Sequence, residues 1–373
     1  MSRAPASWGR WPRTQQQVQA LHSRCDPLSF DDKHSYLPHG LGRSYGDSCL
    51  NDGGVLLATR GLDRYISFDA QRGELCCEAG VSLQEIAQLV LPQGWFLPVS
   101  PGTQFVTVGG AIANDVHGKN HHRAGSFGRY VLEFELLRSD GSVHLCSPSS
   151  NADLYGATIG GLGLTGLIRW ARLQLRPVPG PWLTGERIKF GNLGEFFTLA
   201  RDSDRDYEYT VAWVDCSAGG SARGRGLYSR GNHAAVRSAE PREARLSMPL
   251  TPPLSLVNRL SVAAFNRLNY ARQRSAVLPQ RWHWRPFFYP LDGIENWNRM
   301  YGPRGFFQYQ CVVPLVHAHA AIDQMLARIA RAGEGSFLAV LKLFGDLSSP
   351  GWLSFPRAGA TLAIDFPNRG ART

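Results

Sequence analysis

An α+β fold in two domains is what this sequence predicts, and three observations point there. A chain of 373 residues is long for a single core. Its 40 glycines and 23 prolines suit a chain of many turns rather than a helical bundle. Runs with the two-residue period of strands are interspersed with a few of helical period, and a cluster at Pro177, Pro179, Gly180 and Pro181 breaks the pattern midway. The expected domains are residues 1–177 and 178–373.

Each element follows from local pattern. Residues 54–59 and 74–81 read as short buried strands. Ser82 with Glu85 forms a capping-box signature, and Leu83, Ile86, Ala87 and Val90 have helical spacing. Pro92 and Gly94 end that helix. Residues 131–138 and 143–146 flank Asp140-Gly141, a hairpin signal. Residues 167–176 alternate as a half-buried strand does. Past the proline cluster, 207–214, 306–313 and 337–344 read as strands. A helix containing Ile322, Met325, Leu326 and Ile329 lies between the last two. Residues 219–253, rich in Gly, Ser, Arg and Pro, read as a loop or lid.

Composition excludes several classes. The net charge is +10 but no run of basic residues or nucleic-acid motif accompanies it, so no nucleic-acid partner is expected. Seven cysteines, without C-x-x-C spacing, argue for reduced thiols rather than a disulfide framework or zinc site. Met1–Pro12 has no apolar core of a signal peptide, and no stretch has the length to span a bilayer. A cytoplasmic protein is expected, with peripheral membrane contact left open.

Three glycine-rich segments carry the chemistry. The first is Gly40-Leu41-Gly42-Arg43-Ser44-Tyr45-Gly46; such a loop can turn its amides toward a phosphate, although a plain glycine turn accounts for it equally well. The second runs through Gly102-Thr103 and Thr107-Val108-Gly109-Gly110 to Asn114, His117, Lys119, His121 and His122. Its small residues suit a short helix against a flat ligand, with N-terminal amides facing a negative group; close helix packing is the alternative. Adjacent histidines face opposite ways, so no metal site is expected. The third, Gly161-x-Gly163-x-x-Gly166, matches the dinucleotide pattern in the wrong context: strand-like alternation follows it instead of a helix, which excludes a Rossmann reading.

Together these segments resemble the flavoproteins of the vanillyl-alcohol-oxidase type, with their PCMH-type FAD-binding domain. The group with sugar-lipid (decaprenylphosphoryl-ribose) and sugar-lactone oxidases is the most similar. The resemblance rests on Gly40–Asp47, Pro101–Gly128, Ala157–Ile168, Trp297–Gln310 and Leu341–Gly345. It implies a two-subdomain FAD-binding domain, then a substrate domain whose antiparallel sheet roofs the flavin. It assigns the pyrophosphate to Gly40–Gly46 and the length of the cofactor to Gly102, Thr103, Thr107, Val108, Gly109, Gly110, Asn114 and His117, with Ile168 toward the adenine. Many relatives carry a flavin-linking histidine where Arg43-Ser44 stands here, so non-covalent FAD is implied.

The implied reaction is oxidation of a sugar or sugar-lipid alcohol by hydride transfer, with oxygen-using lactone or alditol oxidation as the alternative and the electron acceptor left open. Candidate catalytic groups are His117, Lys119, Gln308, Gln310 and Lys342. Gln308 and Gln310, two apart on a strand, share a face opposite Tyr309 and Cys311; Lys342 sits between Leu341 and Leu343, where a lysine needs a partner or ligand. Trp213 is a candidate pocket wall, or a core residue. Ala363 stands where relatives carry a cysteine before Asp-Phe-Pro. Relatives also continue past Thr373, through a late lysine and a closing segment, so the resemblance implies an incomplete substrate domain and a copy whose turnover is in question.

Overall fold

The computed structural model describes residues 5–236 and 246–370. The chain forms two compact units, and both are discontinuous. Unit 1 comprises the chain through Gly118, Ser126–Gly180 and Ser348–Phe355. Unit 2 comprises Lys119–Gly125, Pro181–Leu347 and the chain from Pro356 onward. The division differs from a simple cut after residue 177 by a break at Gly180, within the proline cluster, and by these two exchanged segments, which no local pattern announces.

Unit 1 holds two sheets. In a three-stranded parallel sheet, Val55–Ala58 lies between Gln17–Ala20 and Tyr36–His39. In a five-stranded antiparallel sheet the order is Tyr65–Asp69, Glu74–Glu78, Leu167–Gln174, Val131–Leu137, Val143–Cys146. The helix Leu83–Val90 begins with the expected capping box: Ser82 Oγ accepts from the Glu85 N–H, and Glu85 accepts from the Ser82 N–H. Its face of Leu83, Ile86, Ala87 and Val90 is fully buried; each such side chain contributes roughly 1–3 kcal/mol of hydrophobic stabilisation. The third glycine segment follows the helix Ala152–Thr158 and leads into the strand Leu167–Gln174, so it lacks the strand-to-helix context of a dinucleotide fold.

Unit 2 is built on a seven-stranded antiparallel sheet. Its order is Val277–His283, Trp182–Phe190, Gly226–Ala234, Tyr209–Val214, Ala339–Phe344, Gly359–Pro367, Phe306–Val313. Helices Leu193–Asp204 and Leu315–Ala332 cover one face. There Phe196, Ile322 and Leu326 pack against Ala212, Leu341 and Leu362. The residues alternating with these on the strands face the other way.

The loop reading of 219–253 is corrected. Gly226–Ala234 is an interior strand paired on both sides, and Leu246–Ser247 forms a short parallel pair with Ile294–Glu295. Its glycines are there for packing: a Cβ at Gly226 would overlap the Trp213 carbonyl. Residues 237–245 of that segment lie outside the described residues.

Candidate active site

In unit 1, the first glycine loop leaves the parallel sheet directly after Tyr36–His39. Gly42 and Gly46 take φ of 61° and 63°, the left-handed region that glycine tolerates. Among the described residues, the amide N–H groups of Leu41, Gly42, Ser44 and Gly46 have no hydrogen-bond partner. Exposed donors grouped in one turn are what an anionic ligand requires.

The second stretch meets this loop within the same unit. A Cβ on Gly40 would collide with Thr107 Oγ1. The Arg43 guanidinium lies 3.9 Å from the Trp8 ring centroid and 5.0 Å from that of Phe105, a cation–π clamp that fixes the loop. At Gly46 and Gly102, by contrast, a Cβ would meet nothing within 4 Å. The cradle is therefore tight where its two loops touch and open beside them. Thr103 Oγ1 accepts from the Phe105 N–H.

One expectation fails here. The helix Val108–Ala113 does not offer its first amides to a ligand. The Val108 N–H donates to the Val81 carbonyl, Gly109 to the Ala79 carbonyl, and Gly110 to Thr107 Oγ1. The small residues serve approach instead, since a Cβ at Gly109 would press on Ala79 at 3.2 Å. Asn114 Nδ2 donates to the Gly110 carbonyl, and Ile168 is buried in its strand opposite Leu136. His117 forms an antiparallel bridge with Ser126, and its ring centroid lies 6.2 Å from that of Phe355. Buried Ser126 Oγ has no hydrogen-bond partner among the described residues.

In unit 2, the sheet face opposite those two helices carries the other candidates. Register aligns Trp213, Val340, Ala363 and Gln310 across four strands, and Gln308 opposite Asp365. Gln308 Nε2 donates to Asp365 Oδ1 at 3.1 Å, and Gln310 Nε2 to Thr361 Oγ1 at 3.0 Å. Thr361 is also the cross-strand partner of Lys342. Cys311 lies on the helix side, 3.8 Å from Met325 Sδ. Trp213 donates from Nε1 to the Phe337 carbonyl at 2.9 Å.

Lys119 adds to this group. Its Nζ donates to the Phe288 carbonyl at 2.8 Å and lies 5.8 Å from the Phe287 ring centroid. Burial, then repulsion by Lys342, pulls its pKa down to about 7, against an opposing pull from Asp292. Burial lowers Lys342 to about 8. Burial raises Asp365 to about 7, partly offset by the Gln308 hydrogen bond. His121 and His122 diverge: the ring of the first lies tilted 4.3 Å from that of Phe344, and Nε2 of the second meets the Tyr207 carbonyl at 3.0 Å.

Comparison with known proteins agrees with the cradle. Residues 10–147 match the model of the FAD binding domain family. Over an alignment of 378 positions the chain is 36% identical to decaprenylphosphoryl-β-D-ribose oxidase of Mycolicibacterium smegmatis, covering 96% of this chain and 82% of that one. The chain belongs to this family of FAD-dependent oxidoreductases. It is also 37% identical over 306 residues to an uncharacterised Streptomyces coelicolor protein, covering 78% of this chain and 82% of that one. Similarity to mouse L-gulonolactone oxidase is 31% over 140 residues, covering 37% of this chain and 31% of that one.

The family's cofactor is FAD and its chemistry is oxidation of CH–OH groups. The chain's own geometry fits that cofactor: unspent amides at Leu41, Gly42, Ser44 and Gly46, and open space at Gly46 and Gly102. Two residues of the unit-2 face escaped the sequence reading, Thr361 and Asp365. The signal for Asp365 was present as an acid between Ile364 and Phe366 in a strand. Its burial was not readable.

Proposed function

We propose that the chain oxidises a secondary alcohol of a sugar or sugar-lipid, with FAD held without a covalent bond. FAD, when bound, would supply the acceptor for the hydride of the alcohol carbon. The observation that carries the proposal is the unit-2 sheet face, where two lysines of lowered pKa accompany two anchored amides. Lys119, poised near 7, is present as neutral amine at physiological pH and takes the hydroxyl proton. Lys342, near 8, stays mostly charged and supplies positive charge. Gln308 and Gln310 are fixed by Asp365 and Thr361 and orient a polyhydroxyl ligand. His117, with the loops Gly40–Gly46 and Gly102–Gly110, orients the cofactor. Non-covalent attachment is supported by Arg43-Ser44 at the place of the linking histidine. A sugar-lipid must be drawn from a membrane, so peripheral membrane contact belongs to the same reading.

The test is anaerobic mixing of the yellow protein with decaprenylphosphoryl-β-D-ribose and, separately, with L-gulonolactone. Rapid bleaching by the first supports the proposal. Bleaching by the second alone, with peroxide formed on admitting oxygen, favours the lactone-oxidase reading. A flavin that neither substrate bleaches overturns both.

A further inference from the structure

The segment Leu246–Leu291 of unit 2 contains six arginines and no aspartate or glutamate. Its central helix, Arg259–Arg272, inverts the usual order of burial. Inward it buries Val262 and, fully, the polar Asn266, whose Nδ2 reaches the Ser336 carbonyl at 3.3 Å. Outward, Leu260 is 82% exposed and Leu268 66%. At 100° per residue, Leu260, Ala264, Leu268 and Ala271 form one outward stripe, flanked by Arg267 and Arg272. The stretch leading into the helix adds Leu250 at 77% and Leu254 at 79% exposed. The helix is nonetheless well anchored, by a capping box of Asn258 and Ser261 and by Phe265 against Phe337 at 5.0 Å.

Leucines exposed singly are ordinary; a stripe of them rimmed by arginines is not. Two nearby acids are engaged elsewhere, Glu334 with Arg369 at 2.9 Å and Asp215 with Arg225 at 2.8 Å. A surface of this kind matches an anionic bilayer: leucines enter the boundary between headgroups and acyl chains while arginine stems extend to the phosphates. A second copy of the same face would bring like charges together. Among the described residues no helix is long and apolar enough to cross a membrane, so the contact is one of docking.

We infer that the Leu250–Arg272 face is where the protein docks on an anionic phospholipid surface. The inference rests on the peripheral-contact reading above but not on the substrate, so vesicle binding and turnover can fail separately. The experiment is co-sedimentation of the FAD-loaded protein with vesicles of phosphatidylcholine alone, or mixed equally with phosphatidylglycerol. Wild type is expected to bind only the anionic vesicles, less at high salt. Leu260→Glu with Leu268→Glu should abolish binding, and Arg267→Gln should weaken it about fivefold, all with unchanged flavin content. Hydrogen exchange of the wild-type protein gives a reading free of any folding effect: vesicles should protect residues 250–272. No binding by wild type, binding indifferent to both variants, or protection elsewhere would overturn the inference. So would self-association abolished by the leucine variants without any vesicle binding.

Discussion

Replacing Asp115 tests the packing that holds unit 1 together. Asp115 is completely buried at a φ of 40°. Its Oδ1 accepts the Gly128 N–H at 2.7 Å. Its Oδ2 accepts the Ser349 hydroxyl at 2.5 Å and the Ser354 hydroxyl. One carboxylate thus ties the turn before His117 to Gly128 and to the late segment Ser348–Phe355, all within unit 1. Asp115→Ala orphans these donors, at roughly 1–3 kcal/mol each where they cannot reach water. Alanine in the left-handed region adds roughly 1 kcal/mol. The two serine hydroxyls can turn toward other acceptors, which puts each loss near the low end of its range; the expected total is about 4–6 kcal/mol, or roughly 10–20 °C in Tm for a unit of this size. Asp115→Asn keeps one acceptor oxygen and tolerates the backbone angle, so about half that loss is expected. Calorimetry and urea titration of the three proteins measure it. If the alanine variant unfolds within about 1 kcal/mol of wild type, the carboxylate is not the tie described.

Further outcomes follow from the site. Lys342→Met removes the like charge beside Lys119, so the pKa of Lys119 should rise from about 7; the acid limb of kcat/KM against pH then moves to higher pH. Lys119→Met should cut kcat by roughly a hundredfold or more while FAD stays bound. Burial raises Asp365 to about 7, so its contribution to stability is fully present below its unfolded value of 3.8 and is lost as pH rises through 7. Asp365→Asn should therefore flatten stability between pH 4 and 7, as urea titrations at several pH values will show. Denaturing the protein and filtering it should release the flavin; yellow colour retained with the polypeptide would refute non-covalent attachment.

Local signals were legible wherever they answer to a local cause. The capping box at Ser82 and Glu85, the Asp140-Gly141 hairpin and the alternating strands appear as the pattern predicts. What escaped depends on tertiary context. Gly226–Ala234 looks like a loop because its glycines answer to close neighbours, with Gly231 only 3.0 Å from the Thr184 carbonyl if given a Cβ. The helix Arg259–Arg272 showed no inward apolar stripe because its leucines point outward. The amides of Val108 and Gly109 looked available, yet carbonyls of Val81 and Ala79, in an earlier segment, already hold them. The pairing of Gln308 and Gln310 on one face was readable from spacing alone. The burial and the neighbouring Lys342 that depress Lys119 come from residues far along the chain.

The central claim is that FAD lies in the open cradle beside Gly102. A Cβ there meets nothing within 4 Å and the backbone needs no special angle, so Gly102→Val should fold and melt as wild type does. Its side chain would occupy space the cofactor needs, weakening FAD affinity roughly 10- to 100-fold. Fluorescence titration of FAD into the two apoproteins decides the matter: a much weaker complex with an unchanged Tm is the result predicted, and equal affinity would contradict it.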